Sequence, residues 1–130
     1  MSVELNCLAW AAILGLIHIF AAGQARTKEL GMKWNMSARD GEPAKPGIIT
    51  GRLSRAQSNF FETFPLFAAS VLIVAVTQTY SSYSCWGALL YLVARVVYIP
   101  LYVFGIAVIR TLVWLISVVG LMLVLVPVLF

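Results

Sequence analysis

Hydrophobic positions along this chain gather into four long runs separated by polar punctuation, and each run is close to the length a bilayer demands. A hydrocarbon core of roughly 30 Å takes about 20 helical residues. Residues 5–23 carry no charge and supply the first such length. Residues 53–78 supply a longer one, whose polar first turns suit the headgroup layer and whose Pro65 a membrane helix tolerates. The link 79–84 is short and polar, so the next run, 85–104, must return antiparallel. Residues 111–130 are again without charge. The pattern predicts an all-α integral membrane four-helix bundle, a single domain over residues 1–130, with a basic segment 24–52 between the first two spans.

Composition removes the soluble alternative, since 62% of the residues are hydrophobic, only 11% are charged, and mean hydropathy is +0.94. Such a chain meets lipid rather than a water-enclosed core. Residues 1–4 contain no Lys or Arg, so the first run is expected to stay as a helix and not to be removed as a signal peptide. Seven of the nine basic residues, Arg26, Lys28, Lys33, Arg39, Lys45, Arg52 and Arg55, lie in the first connection or at its exit, and Arg110 borders the third. Basic loops stay cytoplasmic. The first and third connections are therefore expected inside and both termini outside, in a plasma, inner or internal membrane. The net charge of +4 concentrates on one surface, which suits anionic lipid or an anionic small ligand better than nucleic acid, and no nucleic-acid partner is expected. Gly31, Gly41, Pro43, Pro46, Gly47 and Gly51 make the first connection either an ordered, turn-rich segment or a flap.

Charge inside the spans is where function is sought, because it is costly there and seldom idle. Arg52, Arg55, Asn59 and Glu62 recur at three- and four-residue steps, which keeps them within about 80° of one another on a helix. In the third span Arg95, Tyr98 and Tyr102 share a face by the same spacing. Arg95 lies near mid-span, where an unpaired charge costs at least about 2.5 to 3.5 kcal/mol. It needs a partner, and Glu62 is expected to be that partner, either as a structural ion pair or as part of a ligand site.

The run from Arg52 to Phe67, with Arg52, Arg55, Gln57, Asn59, Glu62, Phe64, Pro65 and Phe67 in place, resembles the second-helix signature of the MAPEG family, membrane-associated proteins in eicosanoid and glutathione metabolism. Arg95 with Tyr98 and Tyr102 is similar to the family's next signature. The resemblance covers nearly the whole chain and implies a homotrimer with glutathione sites between neighbouring subunits. It implies that Arg52, Arg55, Asn59, Glu62, Arg95, Tyr98 and Tyr102 bind glutathione, the co-substrate, and that Arg110 is the catalytic cation that stabilises its thiolate. Glutathione offers carboxylates to arginine, an ammonium to Glu62 and amides to Asn59. Where the motif continues with a tyrosine after the glutamate, this chain has Thr63.

The expected activity is a detoxifying glutathione transferase, with glutathione peroxidase as an extension, acting on lipophilic electrophiles from the bilayer. A lipid-presenting, non-catalytic protein of the same fold is the second reading, and a small four-helix exporter the third. His18 is expected to be neutral and hydrogen-bonded to a neighbouring helix. Cys7 and Cys85, in separate spans, are not expected to form a required disulfide. Tyr80, Tyr83 and Trp86 read as an interfacial aromatic belt. With a single His and no ligand spacing, no metal site is expected.

Overall fold

The computed structural model describes residues 1–38 and 47–130 and is helical throughout its regular elements: α1 (Val3–Leu30), α2 (Met32–Met36), α3 (Ile48–Thr77), α4 (Ser82–Val103) and α5 (Ala107–Leu129). The four long helices are each long and apolar enough to cross a membrane, which makes this an integral membrane protein. They extend past the apolar runs at the loop side. The first helix continues beyond residue 23 to Leu30, and α3 begins at Ile48 instead of 53. Hydropathy marks only the part of a helix that lipid covers, and the polar turns beyond it keep their backbone bonds in water. The short α2 falls inside the segment expected as loop, and Gly41, Pro43 and Pro46, with Arg39 and Lys45, lie outside the described residues.

Local chemistry explains where each helix stops. Ser2 caps α1 by accepting from the Leu5 N–H at 3.2 Å, and Gly31 ends it at φ 94°, a conformation that disfavours any side chain. The Gly47 N–H at the head of α3 donates to Glu29 at 2.7 Å, tying the entry of α3 to the end of α1. Ser81 and Ser84 form a reciprocal capping box at the start of α4. Pro65 and Pro100 sit within helices α3 and α4, as membrane helices allow.

Side-chain bonds fix which helix ends share a side of the membrane. Ser84 donates to the buried Glu4 carboxylate, placing the first turns of α1 and α4 together. Two helix N-termini, each with a partial positive charge, thus face one carboxylate, which offsets the cost of burying it. At the opposite end Arg26 donates to Ser54 at 3.2 Å and Arg52 to the Val103 carbonyl at 3.0 Å, gathering the end of α1, the head of α3 and the end of α4.

Between these ends runs a core of Ala11, Phe67, Val71, Val74, Ala88, Tyr91, Leu121 and Val124. Phe67 stacks on Tyr91 with centroids 4.0 Å apart, and the Tyr91 hydroxyl meets Thr63 Oγ1 at 2.9 Å. Thr63 therefore points into the bundle. Large apolar residues such as Trp10, Phe20, Val76 and Trp86 are exposed, and Tyr80 and Tyr83 beside Trp86 form the surface aromatics expected of an interface. Cys7 and Cys85 are free thiols.

Helices α4 and α5 approach each other backbone to backbone. A Cβ added at Gly87 would lie 2.6 Å from the Gly120 carbonyl oxygen, and one at Gly120 would lie 2.7 Å from that of Gly87. Backbone, not side chain, fills this contact, as small residues permit between membrane helices. Gly120→Ala is expected to lower the unfolding free energy by about 1–3 kcal/mol, read as a fall in thermal midpoint in detergent. Gly23→Ala, where an added carbon meets nothing within 4 Å, should move the midpoint upward, by about 0.5–1 kcal/mol.

Candidate functional site

The polar stripe of α3 lies along the border of its packed face, so its members turn to different neighbours. Asn59 is half-buried and faces α4, while Arg55 and Glu62 are exposed. Arg52 spends one N–H on the Val103 carbonyl and lies against Gly105, where an added Cβ would come within 2.7 Å of its guanidinium. Gly105 has φ 73°, so both its backbone and the arginine beside it favour glycine. Arg55 folds back over Gly51, with Nη1 3.1 Å from where a Cβ would stand there.

Arg95 is fully buried, and the structure corrects its expected partner. Its Nη1 donates to Asn59 Oδ1 at 2.9 Å, and no ion pair joins it to Glu62 among the described residues. The reason is helical geometry: Glu62 lies about 60° around α3 from Asn59, and that rotation carries it out of the bundle. In place of a carboxylate, aromatic faces surround the cation. Its Cζ stands 4.4 Å from the Tyr98 ring centroid and 5.5 Å from that of Phe60. Such faces attract a guanidinium, more strongly where water is excluded. Nε and Nη2 of Arg95 are buried without a hydrogen-bond partner among the described residues.

Arg110, from the first turn of α5, reaches the same cluster. Its Nη1 donates to the Tyr98 hydroxyl at 3.1 Å, and its Cζ lies 4.9 Å from the Tyr102 ring centroid. The rings of Tyr98 and Tyr102 are 5.6 Å apart. Tyr98 thus has one guanidinium over its ring and another on its oxygen. Because Arg110 donates to that oxygen, the phenolic hydrogen is left for another acceptor. Asn59, Arg95, Tyr98, Tyr102 and Arg110 form one connected group, whereas Arg52, Arg55 and Glu62 stand beside it.

Arg95 lies eight residues before the end of α4, roughly 12 Å of helix, so the cluster sits below the polar end of the bundle. That end also holds Arg26, Lys28 and Lys33. The donors and rings together can bind anionic groups and stabilise a negative charge formed next to Tyr98 and Arg110.

Two participants escaped the sequence reading. Phe60, wholly buried beside Asn59, stacks on His18 at 4.9 Å and also faces Arg95; its only signal was its place next to Asn59 in the polar run. Glu4, in the first turn of α1 at the opposite end, is buried against Ser84, and no motif marks it. His18 differs as well: it is buried, but Phe60's ring is its neighbour and its Nε2 has no hydrogen-bond partner among the described residues. Among the described residues no group of three or more His, Cys, Asp or Glu could hold a metal.

Four long apolar helices define a multi-pass membrane protein, and below one end they gather two arginines and two tyrosines, of which Arg95 and Tyr98 are buried. The chain matches the model of the MAPEG family over residues 6–130 and belongs to that family. Neither a curated protein nor a solved structure matches it.

Removing the acceptor that Asn59 gives Arg95 should be felt in folding. Asn59→Ala is expected to destabilise the protein by about 1.5–3 kcal/mol, the range for a hydrogen bond to a charged group. Glu62→Gln, at an exposed position, should stay within about 0.5 kcal/mol of the parent, and thermal unfolding in one detergent distinguishes them.

Proposed function

We propose that this protein is a membrane-bound glutathione transferase, with peroxidase chemistry open to the same thiolate, and that it works as a homotrimer. The observation that carries this reading is the meeting of Arg95, Tyr98, Tyr102 and Arg110 around a point where Arg95 has two buried donors without acceptors. A tripeptide with two carboxylates, an ammonium and a thiol fits that donor set. Arg95 and Arg55 take its carboxylates, Asn59 its amides and Glu62 its ammonium, with Arg52 at the rim.

The same positions support the trimer. Arg55 and Glu62 face away from their own bundle on a helix that crosses the membrane. Charges in that setting pair with one another or line a cavity. A neighbouring subunit that presents its half-buried Tyr102 and Arg110 to them, with Arg95 and Tyr98 held behind, completes a site with both signs of charge. By the positive-inside rule this end is cytoplasmic, with both termini on the far side.

In the proposed mechanism the bound thiol loses its proton because the thiolate is stabilised by the Arg110 guanidinium and the Tyr98 hydroxyl. A free thiol titrates near ~8.5, and an adjacent fixed cation lowers that value. The sulfur then gives its electron pair to an electrophilic carbon, whose leaving group departs with its own pair. With a hydroperoxide the sulfur attacks the terminal oxygen, the O–O bond breaks and an alcohol leaves. A second glutathione then reduces the sulfenic product, releasing water and glutathione disulfide.

Calorimetric titration of glutathione into detergent-purified protein, with ophthalmic acid as the methyl-for-thiol comparison, tests the site. Both should bind; a folded protein that binds neither would turn the reading to a lipid-presenting member of the family. Glu62→Gln is expected to lose glutathione binding while keeping the assembly measured by light scattering, and loss of the assembly instead would make Glu62 structural. Arg110→Ala should retain binding but lose the ultraviolet absorbance of bound thiolate, and an unchanged signal would move that role to another arginine.

A further inference from the structure

An open groove of about 1010 Å³ lies on the other side of the polar end, lined by the last turns of α1, by α2 and by Gln57 of α3. None of Asn59, Glu62, Arg95, Tyr98 or Arg110 contributes to it. Gln57 leaves α3 about 200° from Asn59 by helical geometry, so the groove and the cluster occupy different faces of that helix.

The groove is graded along the membrane normal. Its deep end is walled by Ile19 and Phe20, and its outer end by Arg26 and Lys28, with Met32 of α2 alongside. An apolar stretch ending near residue 23 places Ile19 and Phe20 at acyl-chain level and Arg26 and Lys28, beyond its end, at headgroup level. Arg26 uses Nη2 on Ser54, and Lys28 is exposed. Glu29, the acidic residue next in sequence, turns away to the Gly47 N–H. The cations therefore face the groove without a carboxylate among the described residues to neutralise them. Asn35, whose amide donates to Thr27, holds the mouth of the groove on the α2 side.

We propose that this groove binds an anionic membrane phospholipid, its phosphate on Arg26 and Lys28 and the upper part of one acyl chain along Ile19 and Phe20. A purely apolar occupant would leave both cations unpaired, and a free anion would leave the apolar wall uncovered. The proposal is independent of the glutathione reading, since it uses none of the same side chains. It makes the lipid a structural partner that braces the end of α1 against α2 and α3.

The test is retention of phosphatidylglycerol against phosphatidylcholine of the same chains by the purified protein, followed by native mass spectrometry and by thermal shift. Phosphatidylglycerol should be preferred. Each cation near the surface is worth about a fivefold factor, so R26Q/K28Q should lose on the order of 25-fold in preference. Lys33→Gln, which removes a cation outside the groove lining, should retain it. Phe20→Ala should weaken phosphatidylglycerol retention, because the acyl wall is lost. If the double variant fails to fold, Lys28→Gln alone, at an exposed position, should still show about the single fivefold loss. Equal retention of the two lipids by the parent protein would overturn the proposal. So would stabilisation by inorganic phosphate equal to that by phosphatidylglycerol, or a loss in Lys33→Gln as large as in R26Q/K28Q.

Discussion

A guanidinium in the interior of a membrane bundle has to be satisfied, and the arrangement around Arg95 is organised by that requirement. Its cation is closed off from solvent and receives one side-chain acceptor, Asn59, and two aromatic faces, Tyr98 and Phe60. Each of those neighbours is itself held: Tyr98 by Arg110 from α5, and Phe60 by His18 from α1. One buried charge thereby joins all four long helices. An ion pair would have satisfied Arg95 more simply, but it would have consumed both charges. Nε and Nη2 of Arg95 instead stay without partners among the described residues, at the expense of stability.

The four spans were legible because hydrophobic length is set by the bilayer, and family signatures pointed to most of the residues now seen to cluster. What hydropathy could not supply was direction. Glu62 and Asn59 share a face by spacing, yet a rotation of about 60° separates a residue that turns to Arg95 from one that leaves the bundle. Glu4 shows the same limit: its place in the first turn of α1 says nothing of its surroundings, and only the return of α4 beside it reveals that two helix starts and Ser84 enclose it. Arg52 likewise carries a structural task that no motif announced, since its carbonyl partner and Gly105 lie across the bundle.

The two ends of the molecule follow opposite electrostatic designs. At one, a single acidic group is enclosed between helix starts and serines. At the other, Arg26, Lys28, Lys33, Arg52, Arg55 and Arg110 gather with little acidic compensation among the described residues. A cationic rim of this kind raises the local concentration of anions before any particular contact forms. The two proposed ligands, a tripeptide from water and a lipid from the leaflet, would both be drawn to this level of the membrane and meet different faces of α3.

The glycine contact between α4 and α5 has a mechanical consequence. Those helices touch backbone to backbone at Gly87 and Gly120, and Arg110 clasps Tyr98 near their other end. Fastened at both ends, the hairpin behaves as a stiff beam that cannot splay without separating main chains. Tyr98, Tyr102 and Arg110 all ride on it, so their spacing is preserved while the rest of the bundle breathes. Whatever freedom the bundle has is then left to α1 and α3, whose joint with that beam is the packing of Phe60 between His18 and Arg95.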